Sequence, residues 1–122
     1  MIKEINSLVL AYLGDTIYED YVRLFLIKKG IANVNDLQTE SIKYSSAKAQ
    51  SQKLKELIDV NFFSEEELEI IKRARNHKSL SHPKNCDILS YRYATGLEAL
   101  IGYLKLNNKE ERINEIMENI LK

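Results

Sequence analysis

Tryptophan is absent from this sequence, and cysteine and proline occur once each, as Cys86 and Pro83. A lone cysteine excludes an internal disulfide and fits a reducing compartment. With one proline and four glycines there is no Pro/Gly-rich linker and no low-complexity segment, so the 122 residues are expected to form one domain with its own core. An excess of charge of either sign is also missing. Lys and Arg number 18 and so do Asp and Glu, which removes any argument from composition for a nucleic-acid partner. The first residues, Met1 to Asn6, lack the basic-then-apolar layout of a signal peptide. Asp15, Glu19, Asp20 and Arg23 interrupt the longest apolar region, so no membrane span is expected and a cytoplasmic location follows. Sustained strand alternation is missing as well, which leaves an all-α fold.

What is present begins with Leu8-Val9-Leu10-Ala11-Tyr12-Leu13-Gly14-Asp15-Thr16-Ile17-Tyr18-Glu19. A helix through this stretch should start at Asn6 or Ser7 and end at Lys28-Lys29, with Gly30 in the left-handed position beyond. It carries apolar side chains on more than one face, which predicts a central, largely buried helix. Asp15 then stands in apolar surroundings, where a carboxylate must be paired, hydrogen-bonded, metal-bound or facing a cleft. Gly14 beside it weakens the helix by roughly 1 kcal/mol relative to Ala, which suits a close approach of another group.

A second helical region should open near Asn35-Asp36, with Asn35 and Gln38 at capping-box spacing, and run to about Asp59, with a break in the Ser-rich part from Ser41 to Ser46. Tyr44, Ala47, Leu54 and Ile58 form its apolar stripe, with Ser51 the polar member of that row, and Lys43, Ser46, Gln50 and Lys53 form a polar, basic ridge. Ser64 and Glu67 make a capping box for a third helix, flanked by Phe63 and Leu68 at staple positions, that ends near Asn76. Residues 77 to 86 read as a loop. The fourth helix starts between Asn85 and Asp87 and reaches about Leu106; Asn108 and Glu111 then cap a fifth with the stripe Ile113, Ile116, Met117, Ile120 and Leu121.

The fourth helix repeats the anomaly of the first, because Glu98 sits among apolar residues and Gly96, Ala99 and Gly102 recur at three-residue spacing. If these two helices cross, Asp15 and Glu98 face one another. Two close carboxylates share a proton or bind a cation such as Mg²⁺, with Glu19 one turn away as a third oxygen donor or an orienting group. A structural role, as an interhelical hydrogen-bonding group or as a salt-bridge partner with Arg23 or Arg92 as the counter-charge, remains the other reading of the spacing. The base-rich end of the third helix suits its dipole, yet Lys78, Lys84, His77 and His82 carry positive character on into the loop, as phosphate contacts require. His77, His82 and Cys86 make a poor zinc set, lacking a fourth ligand and paired spacing. No nucleophile motif or phosphate loop is present, and the seven tyrosines fit packing better than base stacking.

Tyr12-Leu13-Gly14-Asp15-Thr16-Ile17-Tyr18-Glu19 resembles the Leu-Gly-Asp signature of the ribonuclease III catalytic domain, and Leu97-Glu98-Ala99-Leu100-Ile101-Gly102 resembles its second motif. The Mini-ribonuclease III branch, which lacks a double-stranded-RNA-binding domain, is the closer resemblance. Ser46-Ala47-Lys48-Ala49-Gln50, Lys72-Arg73-Ala74-Arg75-Asn76, and Pro83-Lys84-Asn85 followed by Tyr91-Arg92-Tyr93-Ala94-Thr95 are similar to stretches of that branch, so the likeness spans the chain. It implies that residues 1–122 form a ribonuclease III-like catalytic domain of about five to seven helices. It further implies a homodimer that hydrolyses double-stranded RNA with Mg²⁺ held by Asp15 and Glu98, leaving 5′-phosphate and 3′-hydroxyl ends. Maturation of the large-subunit (23S) ribosomal RNA precursor is the role the resemblance implies, with a large-subunit ribosomal protein as a further partner.

Two departures from the longer enzymes stand out. Their Glu four residues before the signature Asp is Ala11 here, and their Asp three residues before the motif Glu is Thr95. Fewer carboxylates imply one well-held Mg²⁺ and a contribution from the Thr95 hydroxyl. A smaller departure is Ala74, where the short branch usually has Gly. RNA would be gripped by shape and backbone through Lys48, Gln50, Arg73, Arg75, Asn76, Lys78 and Lys84, weakly and in a salt-sensitive way. The competing expectations are a catalytically weak or inactive RNA-binding or ribosome-associated domain of the same fold, and a helical dimerisation module whose acids are structural.

Overall fold

The ends of the helices are written into short capping sequences, and the computed structural model resolves six helices among the residues it describes, which are 4–78, 80, 84 and 86–122. They are α1 (Ser7–Lys28), α2 (Val34–Ser45), α3 (Ala47–Asp59), α4 (Glu65–Arg75), α5 (Ile88–Leu106) and α6 (Glu110–Ile120), with no strand among the described residues. His82, Pro83 and Asn85, expected in the basic loop, lie outside the described residues.

Asn6 caps α1 by accepting from the Leu8 amide at 2.8 Å, and Gly30 follows the helix with φ +97°. Ser64 and Glu67 close the expected capping box on α4, and Asp87 caps α5 by accepting from the Ser90 amide. Two starts differ from expectation. Asn33 rather than Asn35 caps α2, because its side chain reaches both the Asn35 and Asp36 amides. Asn108 takes φ 59° in the tight turn after α5, so α6 opens at Lys109 with no side-chain cap. The second helical region breaks at Ser46, whose ψ of 154° ends α2 while its hydroxyl accepts from the Ala49 amide to start α3.

α5 lies along α1 and packs against α3 and α4. From Ala94 to Leu104 every α5 residue except Glu98 is buried, which makes α5 the enclosed helix of the fold. α1 buries only the row Ser7, Leu10, Ala11, Gly14, Tyr18, Val22 and Leu26, while Tyr12 is 82% and Val9 56% exposed on its outer side. The expectation of a largely buried α1 is corrected here: an apolar run longer than one face fixes neither how many neighbours a helix has nor where they lie.

The α1–α5 crossing is a contact of main chains. A Cβ on Gly14 would stand 1.7 Å from the Glu98 carbonyl oxygen, and one on Gly102 would stand 2.0 Å from the Leu10 carbonyl oxygen. Gly96 faces the other way, where an added Cβ would stand 2.9 Å from the Ile71 carbonyl oxygen of α4, since six residues of helix turn it well away from Gly102. One helix therefore uses its glycines against two neighbours rather than one.

α6 is fastened through Arg112, which donates from Nε to Glu67 Oε2 and from Nη2 to Glu67 Oε1, each at 2.8 Å, and also to the Phe62 carbonyl. Burial pushes the Glu67 carboxyl up, but the bonds from Arg112 and Ser64 outweigh it and hold the pKa below the usual value.

Candidate active site

The crossing sets Asp15 of α1 beside Glu98 of α5, as the two glycine-flanked motifs predict, but in unlike surroundings. Asp15 is exposed, which corrects the expectation of a buried acid, because the helix turns it outward from the Leu10–Gly14 face. Glu98 is half-buried. Burial first, and the negative charge of Asp15 second, push its carboxyl up to about 8 against the lowering effect of a hydrogen bond from Gln50. No Lys or Arg among the described residues pairs with either acid. Arg23 binds Glu19 at 3.2 Å, and Arg92 donates to the carbonyls of Arg75 at 2.9 Å and His77 at 3.1 Å. The salt-bridge form of the structural reading thus loses both of its candidate partners, while the hydrogen-bonding form is met at Glu98 by Gln50.

Two hollows meet at Glu98, and one of them also reaches Asp15. One of about 420 Å³ is bounded by Ser46, Lys48, Gln50, Tyr91, Thr95 and Glu98. The other, about 290 Å³, is bounded by Leu8, Tyr12, Asp15, Tyr91, Thr95 and Glu98. Tyr91, Thr95 and Glu98 are their common wall. Thr95 is 5% exposed and donates from Oγ1 to the Tyr91 carbonyl at 2.9 Å, so its hydroxyl proton is committed to the helix. Glu19 is turned to Arg23, and no group of three or more Asp, Glu, His or Cys residues suited to a metal occurs among the described residues.

The expected RNA-binding residues separate into three places. Lys48 is exposed on α3 and borders the larger hollow. Arg73, Arg75 and Asn76 end α4, and Lys78 and Lys84 are exposed on the segment beyond it; none of the five lines either hollow. Gln50 is the exception, and the expectation of an RNA-facing side chain is corrected: it is 3% exposed and donates from Nε2 to Glu98 Oε2 at 3.2 Å. Its position four residues before Leu54 and seven before Leu57, both buried, was the available signal. Lys55 was not expected here at all; its ammonium lies 4.8 Å from the centre of the Tyr93 ring, and the Arg75 guanidinium lies 5.5 Å from it. Arg92, bound to the α4 terminus, fixes where the basic segment leaves the helix.

The match that decides the family is to the ribonuclease III domain, over residues 8–109 and therefore over both acid motifs. The chain belongs to the ribonuclease III family. Among the proteins it resembles, Mini-ribonuclease 3 of Brevibacillus brevis is 52% identical over 93% of this chain and 83% of its own length. Mini-ribonuclease 3 of Staphylococcus aureus is 42% identical over 98% and 90%. A crystal structure of a Fusobacterium nucleatum protein superposes with a TM-score of 0.83 at 37% identity, covering 96% of this chain and 92% of that one. As a ribonuclease III family member, the chain is an endoribonuclease, and the carboxylate cleft lies within the matched domain.

The raised Glu98 carboxyl has a measurable consequence in the metal-free protein. The unfolded chain releases that proton near ~4.3, whereas the folded chain holds it to about 8. Between those values the folded state carries the extra proton, so stability falls as pH rises through the window and levels off above it. Urea unfolding in EDTA from pH 5 to pH 9 is expected to show this decline, with Glu98→Gln flattening it. An unchanged slope in that variant would remove Glu98 as the source.

Proposed function

We propose that this ribonuclease III family member is a Mg²⁺-dependent endonuclease for double-stranded RNA, acting in the cytoplasm as a homodimer on the large-subunit ribosomal RNA precursor. The observation that carries the reading is the Asp15–Glu98 pair, two adjacent carboxylates without a cationic partner among the described residues. A hard divalent cation fits this oxygen-only donor set, since Mg²⁺ is held by one or two carboxylates and keeps several waters for phosphate oxygens. Asp15 and Glu98 would hold it. When bound it supplies charge stabilisation at the scissile phosphate and a water nucleophile active at neutral pH.

The chain's own residues divide the rest of the work. Asp15, on the exposed side, would hold the cation from the solvent side. Glu98, half-buried, would have to give up its proton to serve as a ligand, a loss that a positive charge beside it would favour. Lys48 at the hollow, with Arg73, Arg75, Lys78 and Lys84 beyond it, supplies phosphate contacts that fix register without reading sequence. Such contacts suit A-form RNA, whose accessible shallow groove offers backbone and 2′-hydroxyls. Exposed Val9 and Tyr12 on the outer side of α1 support the homodimer, because an apolar surface of this kind is stabilised by a second copy.

Cleavage of a fully paired RNA with Mg²⁺, none with EDTA, and little cutting of the same strand unpaired is the expected result, followed on denaturing gels. Tight RNA binding without cleavage would favour instead the inactive RNA-binding domain suggested by Ala11 and Thr95.

A further inference from the structure

Gln50 is the residue whose placement folding alone does not explain. Its amide nitrogen donates to the Ser45 carbonyl at 3.0 Å and to Glu98 Oε2 at 3.2 Å. A main-chain carbonyl only accepts, so turning the amide over would set two oxygens against each other at Ser45. The nitrogen is thereby committed, and the oxygen is left behind. Gln50 Oε1 is the one buried side-chain polar atom among the described residues that has no hydrogen-bond partner. An unpaired acceptor in the interior costs stability, and an apolar side chain of the same length would avoid that cost. The amide must therefore do something that Met or Leu could not.

What it touches says what that is. Glu98 extends from α5 with no Lys or Arg among the described residues to orient it, and Gln50 is the side chain that donates to its Oε2. The same nitrogen is anchored to the last residue of α2, next to the Ser46 break, so the brace runs from a main-chain atom and not from a mobile side chain. We infer that Gln50 is a positioning residue: it ties Glu98 to the α2–α3 break and fixes the orientation in which that carboxylate meets the cation, at the expense of stability in the metal-free chain. The inference rests on the cation reading of the Asp15–Glu98 pair.

Two measurements on the intact chain without RNA test it: binding of Mn²⁺, counted by electron paramagnetic resonance as a stand-in for Mg²⁺, and thermal unfolding in EDTA. Gln50→Met and Gln50→Leu are expected to unfold at the parent temperature or above it, while Mn²⁺ binding weakens about 10- to 100-fold, the usual effect of removing a group that orients a metal ligand. A purely structural residue would not separate the two readouts. Mn²⁺ affinity within twofold of the parent overturns the inference, as does loss of stability in both variants or failure of both to fold. Glu98→Gln distinguishes the levels. If its Mn²⁺ affinity drops while that of Gln50→Met does not, only the positioning role falls. If the parent binds no Mn²⁺, or Glu98→Gln binds it as well as the parent does, the cation reading fails and takes the positioning role with it.

Discussion

Asp15→Asn and Glu98→Gln are each expected to lower Mg²⁺-dependent cleavage of paired RNA by roughly 10³-fold or more, a loss of about 4 kcal/mol of transition-state stabilisation. Either substitution leaves one charged oxygen ligand where two are needed, so the double variant should be little worse than either single one. RNA affinity is expected to stay near the parent value, because the phosphate contacts come from other elements. Glu98→Gln should also unfold at a higher temperature than the parent at pH 8 in EDTA, since an amide removes first the cost of burying a charge and second the repulsion from Asp15, the two causes that raise the Glu98 carboxyl. Single-turnover cleavage beside thermal unfolding measures both. Cleavage within tenfold of the parent in either variant would end the proposed assignment of these acids.

Gly14→Ala and Gly102→Ala are expected to destabilise the fold by about 3 kcal/mol or more. Helix propensity alone predicts the reverse, a gain of roughly 1 kcal/mol for Ala over Gly, so the sign of the result is diagnostic. The steric term wins because the added Cβ would stand 1.7 Å from the Glu98 carbonyl oxygen at position 14 and 2.0 Å from the Leu10 carbonyl oxygen at position 102. Main-chain atoms inside a helix cannot step aside by changing rotamer, so the axes must separate. Gly30→Ala makes the contrast: nothing lies within 4 Å of its Cβ position, and only the φ of +97° opposes the change. That variant should cost about 1 kcal/mol. Urea midpoints of the three proteins in EDTA rank them, and equal midpoints would refute the crossing as the reason for Gly14 and Gly102.

Helix ends were the most legible part of the sequence. Asn6, Ser64 and Asp87 act as caps because a side-chain oxygen two or three residues before an amide satisfies a purely local requirement. The Ser-rich break was legible for the same reason. Asn33 was not, because two asparagines stand within reach of one helix start and the sequence does not rank them. Asn108 misled since asparagine serves equally as a cap and in the left-handed turn it occupies. For the site, Gly14 and Gly102 announce a close crossing that the structure has, whereas Gly96 meets α4 instead. The exposure of Asp15 and the burial of Gln50 depend on which face of a helix meets which neighbour. Periodicity assigns faces only up to that choice, so it puts Gln50 on the basic ridge with Lys43 and Lys53 although the side chain shares the Leu54–Leu57 side. The roles of Arg92 and Lys55 are hidden because their partners, the carbonyls of Arg75 at the end of α4 and of His77 just beyond it, and the Tyr93 ring, are brought to them by tertiary packing alone.

Helices spaced by peptide groups are insulated from drift in the surrounding core. Where side chains act as spacers, each change in their bulk moves the axes and everything mounted on them. At the α1–α5 crossing the spacers are the carbonyls of Leu10 and Glu98, whose dimensions no substitution alters. Val22, Leu26 or Leu97 can therefore be exchanged for residues of similar volume, and the separation of the two carboxylates will hold. Sequence divergence and a constant spacing of the two carboxylates are compatible in this fold, because the gauge between the acids is built from backbone.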